Sequence, residues 1–141
     1  MALKLILDSS VIIKLLNSTD EKNLEEADKI LADALEGKVE LIAPELAKYE
    51  VGNVLLLSKK LSLKKAAIPI HALFAFPIEF ITESEDLARE TFSLAESLKI
   101  TYYDASFLSL TKQYGAILIT ENIKHQRKTS EIKEIPLAKY K

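Results

Sequence analysis

Short apolar runs alternate along this chain with longer segments in which apolar residues recur every three or four positions. The runs predict five β-strands, of which the last is the shortest signal: 3–7, 39–43, 77–82, 116–120 and 135–138. The longer segments predict helices at 9–16, 22–36, 44–60, 83–98 and 103–114. Regular alternation of strands and helices is typical of an α/β protein.

Capping residues and prolines sharpen several boundaries. Ser9 or Ser10 is expected to cap the first helix. Pro44 is expected at the first position of the third helix, where the missing N–H costs nothing. Another helix restarts at Ser62, and Pro69 is expected to kink or end it.

The predicted strands are apolar through their whole length rather than at every second residue. This pattern is typical of parallel strands that are buried on both faces. We therefore expect an α/β fold with a central parallel sheet of four to five strands and helices on both faces. A chain of 141 residues can bury such a core as one domain, which would span residues 1–141.

Composition narrows the chemistry of any site. The chain has no cysteine, which excludes disulfides, thiolate zinc sites and cysteine nucleophiles. His71 and His125 lie far apart, so a metal site must use oxygen ligands, which favours Mg²⁺ or Mn²⁺ over Zn²⁺. Asp8 and Lys14 interrupt the apolar N-terminus, and no run approaches the ~20 residues that span a membrane. We expect a cytoplasmic protein.

The formal net charge of −2 hides an asymmetry. Residues 122–141 carry six basic and two acidic side chains, which gives +4, and the remainder carries −6. A basic segment beside an acidic site suits an enzyme that acts on a polyanion such as RNA, with Lys124, Arg127 and Lys128 as candidate phosphate contacts. A solvated C-terminus explains the same charges, so both interpretations stay open.

Acidic or amide residues recur where strands meet helices. Asp8 follows the first strand, Glu50 lies in the third helix and Asp104 opens the last helix. The pair Glu121 and Asn122 follows the fourth strand. In parallel sheets these junctions converge on one crevice, so we expect a single cluster of carboxylates that is able to hold divalent cations.

Each carboxylate also has a simpler structural explanation. Asp8 can complement a helix dipole, Glu50 can pair with a lysine or be exposed, and Asp104 with Thr101 forms the pattern of a capping box. Glu50 and Asn53 are three residues apart and form one polar stripe on a helix that is expected to be largely buried.

Two local questions stay open in the sequence. Tyr102 and Tyr103 can stack on nucleobases, or they can be half-buried packing residues. Thr120, Glu121 and Asn122 supply a hydroxyl, a carboxylate and an amide at one sheet edge, and periodicity does not decide which of them points inward.

Together these segments resemble the PIN domain family, and more narrowly its VapC-type toxins. The matching strings are LDSSVII around Asp8, PELAKYEVGNVL around Glu50 and TYYDASFLSL around Asp104, with AILITEN in the place of the fourth motif. The resemblance implies a three-layer α/β/α sandwich and metal-dependent cleavage of RNA. It implies that Asp8, Glu50 and Asp104 are metal ligands and that Asn122 stands at the fourth catalytic position.

The resemblance also implies supporting residues and partners. Ser10, Asn53 and Thr120 would orient the metal ligands through hydrogen bonds, with Glu121 beside them. Homodimerisation would be expected, together with an antitoxin protein that blocks the site.

The fourth motif departs from the family pattern, because the family usually has an aspartate where Asn122 stands. An asparagine oxygen can accept a metal but brings no charge, and the side chain of Glu121 should alternate away from the site. We expect a weakened second metal site. The alternative is a catalytically weak or inactive PIN-like module that binds RNA or an antitoxin.

Overall fold

The computed structural model describes residues 2–16, 22–121 and 132–141. These ranges contain five strands and six α-helices, in the order β1 (Leu3–Leu7), α1 (Ser9–Leu16), α2 (Leu24–Leu35), β2 (Val39–Pro44), α3 (Leu46–Asn53), α4 (Leu63–Ala75), β3 (Ile78–Ile81), α5 (Glu85–Leu98), α6 (Tyr102–Tyr114), β4 (Ile117–Thr120) and β5 (Lys133–Pro136). A π-helical turn, Val54–Ser58, extends α3, and a 3₁₀ turn, Leu137–Lys139, follows β5. Within the described ranges, no helix combines the length and the apolarity that crossing a bilayer requires.

All five strands are parallel, in the order β3-β2-β1-β4-β5. The chain moves outward from β1 through β2 to β3 and then crosses back to β4 on the other side of β1. Because crossovers between parallel strands are right-handed, this reversal places α1 to α4 on one face of the sheet and α5 and α6 on the other. The predicted three-layer α/β/α sandwich with a parallel sheet is confirmed.

Strand β1 lies at the centre of the sheet and between both helical layers. It pairs with β2 from Leu3 to Ile6 and with β4 from Leu5 to Leu7. Leu5, Ile6 and Leu7 are 1%, 0% and 0% exposed, which explains why this strand is apolar without alternation.

The start of α3 corrects one prediction. Pro44 is the last residue of β2, paired in register with Ile81 of β3, and α3 begins only at Leu46. Proline fixes a φ value that suits an extended strand as well as a first helical turn. Pairing with β3, which is not visible locally in the sequence, decided between the two.

Pro69 does not end its helix, contrary to one of the two predicted outcomes. Helix α4 runs from Leu63 to Ala75 with Pro69 inside it, and the Ser62 side chain caps it by accepting a hydrogen bond from the Lys65 N–H. Proline removes only the one hydrogen bond that would reach back to Lys65. Because Lys65 is exposed, water can solvate that carbonyl group.

The prediction that the Glu50 helix is largely buried is wrong. Val51 and Leu55 face the core, whereas Leu56 and Leu57 are 63% and 60% exposed. Phe92 of α5, which periodicity places on an inward face, is also 63% exposed. A helix buries one stripe against its own fold, and apolar residues outside that stripe stay at the surface.

Two leucines of β1 provide a matched test of the core. Leu7→Ala should lower the free energy of unfolding by about 2–5 kcal/mol, because it leaves a cavity in a fully packed position. Leu3→Ala removes the same atoms from a side chain that is 48% exposed, and it should cost less than about 1 kcal/mol. Urea unfolding of both variants measures the difference, and equal losses would contradict the central position of β1.

Candidate metal and nucleic-acid site

Asp8 stands where β1 ends and α1 begins. Its Oδ1 accepts a hydrogen bond from the Ser9 N–H at 2.7 Å, and its Oδ2 accepts from Thr120 Oγ1 at 2.6 Å and from Ser10 Oγ at 3.4 Å. The Asp8 carbonyl accepts from the N–H groups of Val11 and Ile12. Asp8, and not Ser9 or Ser10 as predicted, therefore occupies the capping position before α1, which begins at Ser9. The carboxylate is therefore held by donors from one helix, α1, and one strand, β4.

Ser9 connects Asp8 to Glu50. The Ser9 hydroxyl donates to Glu50 Oε1 at 2.6 Å, and its N–H donates to Asp8. The sequence predicts no more for Ser9 than a possible role as a helix cap. Ser9 and Ser10 are adjacent in the sequence, and nothing near them indicates which one would bond to Glu50, a residue 41 positions beyond Ser9.

Glu50 is half-buried, and its electrostatic surroundings identify its neighbours. Burial raises the pKa of the Glu50 carboxyl, the Ser9 hydrogen bond opposes that rise, and the charges of Asp8 and Asp104 add to it. Glu50 therefore lies within electrostatic reach of both aspartates. Two carboxylates from other parts of the chain are thus near enough for their charges to act on Glu50.

Asp104 combines a capping position with proximity to the site. Its N–H donates to Thr101 Oγ1 at 3.0 Å, so Thr101 caps α6 as the simpler explanation predicted. The Asp104 side chain is exposed, and its charge raises the pKa of Glu50. A capping pattern and proximity to Glu50 therefore do not exclude each other here.

The residues of the predicted fourth motif differ in their contacts with the site. Thr120 is buried and donates to Asp8, whereas Glu121 lies outside that network, with Oε1 3.5 Å from Lys14 Nζ. Asn53 ends α3 with an exposed side chain and takes no part in the hydrogen bonds of the site among the described residues. Four predicted site residues lie outside the described residues: Asn122 and the predicted RNA contacts Lys124, Arg127 and Lys128.

Glu134 of β5 lies close to the site and was not predicted from the sequence. It pairs in register with Leu118, two residues before Thr120, so its side chain shares the face of Thr120 one row deeper in the sheet. Glu134 is only 4% exposed. Burial raises its pKa to about 7, and the charge of Asp8 contributes. Side chains two positions apart in a strand lie on the same face, so Glu134 shares the face of the buried Ile132. This spacing is the sequence feature that could have indicated a buried Glu134.

The donor atoms suit a hard divalent cation. Asp8, Glu50 and Asp104 offer only carboxylate oxygens, with serine and threonine hydroxyls around them. In the part of the chain that the structure describes, no three acidic, histidine or cysteine side chains are grouped tightly enough to hold one ion as they stand. The structure thus shows no ready-made set of ligands, but the charges of Asp8 and Asp104 act on Glu50, which Ser9 holds by a hydrogen bond.

The sequence of residues 5–131 matches the model of the PIN domain family. Because this match spans most of the chain, the protein belongs to the PIN domain family. Members of this family are generally nucleases, and these nucleases generally depend on divalent metal ions. No protein of curated function matches the sequence.

Solved structures share the fold at low sequence identity. VapBC2 of Rickettsia felis, bound to a DNA fragment from its promoter, is 16% identical, with a TM-score of 0.70 over 95% of this chain and 98% of that one. VapBC-1 of nontypeable Haemophilus influenzae is 17% identical, with a TM-score of 0.68 over 97% and 100%. A toxin-antitoxin complex of Klebsiella pneumoniae is 20% identical, with a TM-score of 0.64 over 90% and 93%.

The buried Glu134 makes a testable contribution to stability. Its folded-state pKa of about 7 exceeds the ordinary glutamate pKa of 4.5, so the folded protein binds more protons than the unfolded chain between these values. Stability therefore falls as pH rises through this window. In EDTA, from pH 4.5 to about pH 8, the wild type should lose up to about 3 kcal/mol more stability than Glu134→Gln.

Urea unfolding at a series of pH values measures this difference, and contributions from Glu50 and other shared carboxylates cancel in the comparison. Glu79→Gln is the matched control, because Glu79 is an exposed glutamate on the other edge strand, β3. Its profile should follow that of the wild type. A Glu134→Gln profile parallel to that of the wild type would show that Glu134 is not held in a costly ionised state.

Proposed function

We propose that this protein is an endoribonuclease that uses Mg²⁺ or Mn²⁺ to hydrolyse RNA phosphodiesters, and that it is the toxin of a toxin-antitoxin pair in the cytoplasm. The observation that carries the proposal is the electrostatic proximity of Asp8 and Asp104 to Glu50. Ser9 connects Asp8 with Glu50, and the charges of Asp8 and Asp104 both raise the pKa of Glu50. Clustered carboxylates destabilise one another unless a cation neutralises them.

The metal ligands in this proposal are Asp8, Glu50 and Asp104. A bound cation would supply activation of a water molecule and would neutralise the charge that develops on the phosphate. Thr120 and Ser10 fix the orientation of the Asp8 carboxylate, which keeps its oxygens directed at one place. Ser9 restrains Glu50 until a cation competes for its carboxylate.

In this proposal Glu134 supplies part of the negative charge that Asn122, at the fourth catalytic position, lacks. Asn122 is neutral, and Glu121 is directed towards Lys14. Glu134 lies on the Thr120 face near Asp8 and adds an acidic group to this end of the sheet when it ionises. The site therefore keeps part of the charge that an aspartate at position 122 would bring.

The RNA backbone would meet basic residues of the segment that follows β4. Lys124, Arg127 and Lys128 are close in sequence to Thr120, which donates to Asp8. Basic side chains beside a carboxylate site can hold the phosphates that flank the scissile bond. In this arrangement the carboxylates provide the metal site and the basic segment provides affinity.

Metal-dependent cleavage is the direct test. Purified protein should cut a structured RNA pool with Mn²⁺ or Mg²⁺ and should not cut it in EDTA. Asp8→Asn should reduce the rate at least about 100-fold, because residues that only orient a ligand already cost 10- to 100-fold when they are changed. Asp86→Asn, which changes an exposed aspartate in the first turn of α5, is the matched control and should cut normally. Asn122→Asp should increase the rate.

A second measurement does not depend on cleavage. Mn²⁺ at about 100 times its dissociation constant should raise the stability of the wild type by about 2.7 kcal/mol, and Asp8→Asn should lose this effect. RNA binding without cutting under any metal, and without a metal-dependent rise in stability, would favour the inactive binding module. Cutting that resists EDTA would contradict a metal-dependent mechanism.

We also propose that a homodimer forms through the surface of the π-helical turn and α4. Six of the large apolar side chains that are exposed in the described ranges lie in these two consecutive elements: Leu56, Leu57, Leu63, Ile68, Ile70 and Phe74. Apolar patches of this density on soluble proteins usually mark interaction sites.

An antitoxin is the second proposed partner, because the similar solved structures include toxin-antitoxin complexes.

Charge substitutions test the dimer. Leu57→Glu combined with Ile68→Glu should convert a dimer to a monomer, because a buried unpaired carboxylate opposes association. Leu35→Glu alters an α2 leucine that is 71% exposed and lies outside this surface, and it should leave the mass unchanged. Light scattering coupled to gel filtration gives the masses. A monomeric wild type would rule out the homodimer.

A further inference from the structure

A cleft of about 270 Å³ lies at the ends of β2 and β3. Pro44 and Ile81, the last residues of these strands, form part of its lining, and Tyr49 and Tyr103 lie at it as well. Each tyrosine immediately precedes a carboxylate of the site in the sequence, Glu50 in one case and Asp104 in the other. The cleft and the acidic site therefore share two helices, α3 and α6.

The two tyrosines present their rings to solvent. Tyr49 is 73% exposed and Tyr103 is 60% exposed. Large exposed aromatic rings beside a concave apolar surface are suited to stacking, because every nucleobase offers a flat π-face. Exposure at this level leaves both rings accessible to a ligand.

Tyr102 forms a fixed and polar part of the cleft. Its hydroxyl donates to Glu83 Oε2 at 2.6 Å, and both groups line the cleft. Burial and the Glu83 carboxylate raise the pKa of Tyr102 to about 12, so the hydroxyl remains a donor at neutral pH. Tyr102 thereby orients the Glu83 carboxylate without neutralising it.

The two glutamates of the cleft differ in their partners. Glu45 Oε1 accepts from Lys48 Nζ at 3.1 Å, so a cation compensates its charge. Glu83 instead accepts a hydrogen bond from an uncharged phenol, that of Tyr102. A carboxylate has about four lone-pair sites, so Glu83 can accept hydrogen bonds from a ligand in addition to the one from Tyr102.

We propose that this cleft binds one unpaired nucleobase of the substrate, stacked on Tyr103 or Tyr49, and that Glu83 selects a base with donors on its Watson–Crick edge. Guanine is the best match, because its N1–H and its amino group are adjacent and can both donate to one carboxylate. Uracil is the poorest match, since two carbonyl oxygens flank its single N–H. This inference rests on the proposed ribonuclease function and adds a preference for single-stranded RNA, because the base must leave its helical stack.

Binding of short RNA tests the cleft separately from cleavage. The probes are fluorescent seven-nucleotide strands in an Asp8→Asn background: U₇, U₃GU₃, and U₃IU₃, in which inosine lacks the amino group of guanine. We expect U₃GU₃ to bind about tenfold more tightly than U₇, with U₃IU₃ between them. A U₃GU₃ strand annealed to its complement should bind more weakly than the single strand.

Variants connect the preference to individual residues. Tyr103→Ala should weaken binding of every probe about tenfold, and Tyr103→Phe should retain binding because the ring remains. Glu83→Gln should bring U₃GU₃ and U₇ to similar affinities. Phe92→Ala is the matched control, because Phe92 is an exposed aromatic residue of α5 outside the cleft, and it should change nothing.

The outcomes separate this inference from the ribonuclease proposal. Equal binding of all probes, with Tyr103→Ala neutral, would overturn the base-binding cleft, even if the native protein cuts RNA with metal. A guanine preference that survives Glu83→Gln would overturn the role of Glu83. Failure of every probe to bind, together with no cutting by the native protein, would overturn both proposals.

Discussion

The central position of β1 is the constraint on which the rest of the structure depends. Parallel pairing on both edges and helices on both faces leave Leu5, Ile6 and Leu7 almost no contact with solvent. The strand can end only where it leaves the core, and the first polar side chain at that point is Asp8. Because the order of strands reverses around β1, this end of the strand opens into the crevice between β1 and β4, where Thr120 meets Asp8.

Electrostatic conflict follows from this geometry. Glu50 is half-buried beside two aspartates, and Glu134 is buried near Asp8, so burial and neighbouring charge both disfavour ionisation. A fold that keeps such an arrangement gives up stability at neutral pH. Serine and threonine hydroxyls offset part of this cost, and a divalent cation would offset more. The energetic cost and the proposed chemistry therefore have the same origin.

Much of the fold follows from the sequence, because buried parallel strands and amphipathic helices have distinct periodicities. The first strand and first helix, at 3–7 and 9–16, have the predicted bounds. Errors arose where a local signal suits two conformations. Pro44 suits both a strand end and a helix start, and the apolar residues around Leu56 could have been core or surface. Pairing with β3 decided the conformation of Pro44, and the position of neighbouring elements decided which of the apolar residues around Leu56 are buried.

The sequence by itself determined the types of residue at the strand ends and the oxygen-only chemistry of the site, because a chain without cysteine or paired histidines offers no other ligands. It did not determine which hydroxyl would join Asp8 to Glu50, nor that Glu134 would be buried beside them. Only the tertiary structure decided these contacts. The reason is physical: hydrogen bonds and burial across 41 or more residues depend on strand order and register, which no local pattern encodes.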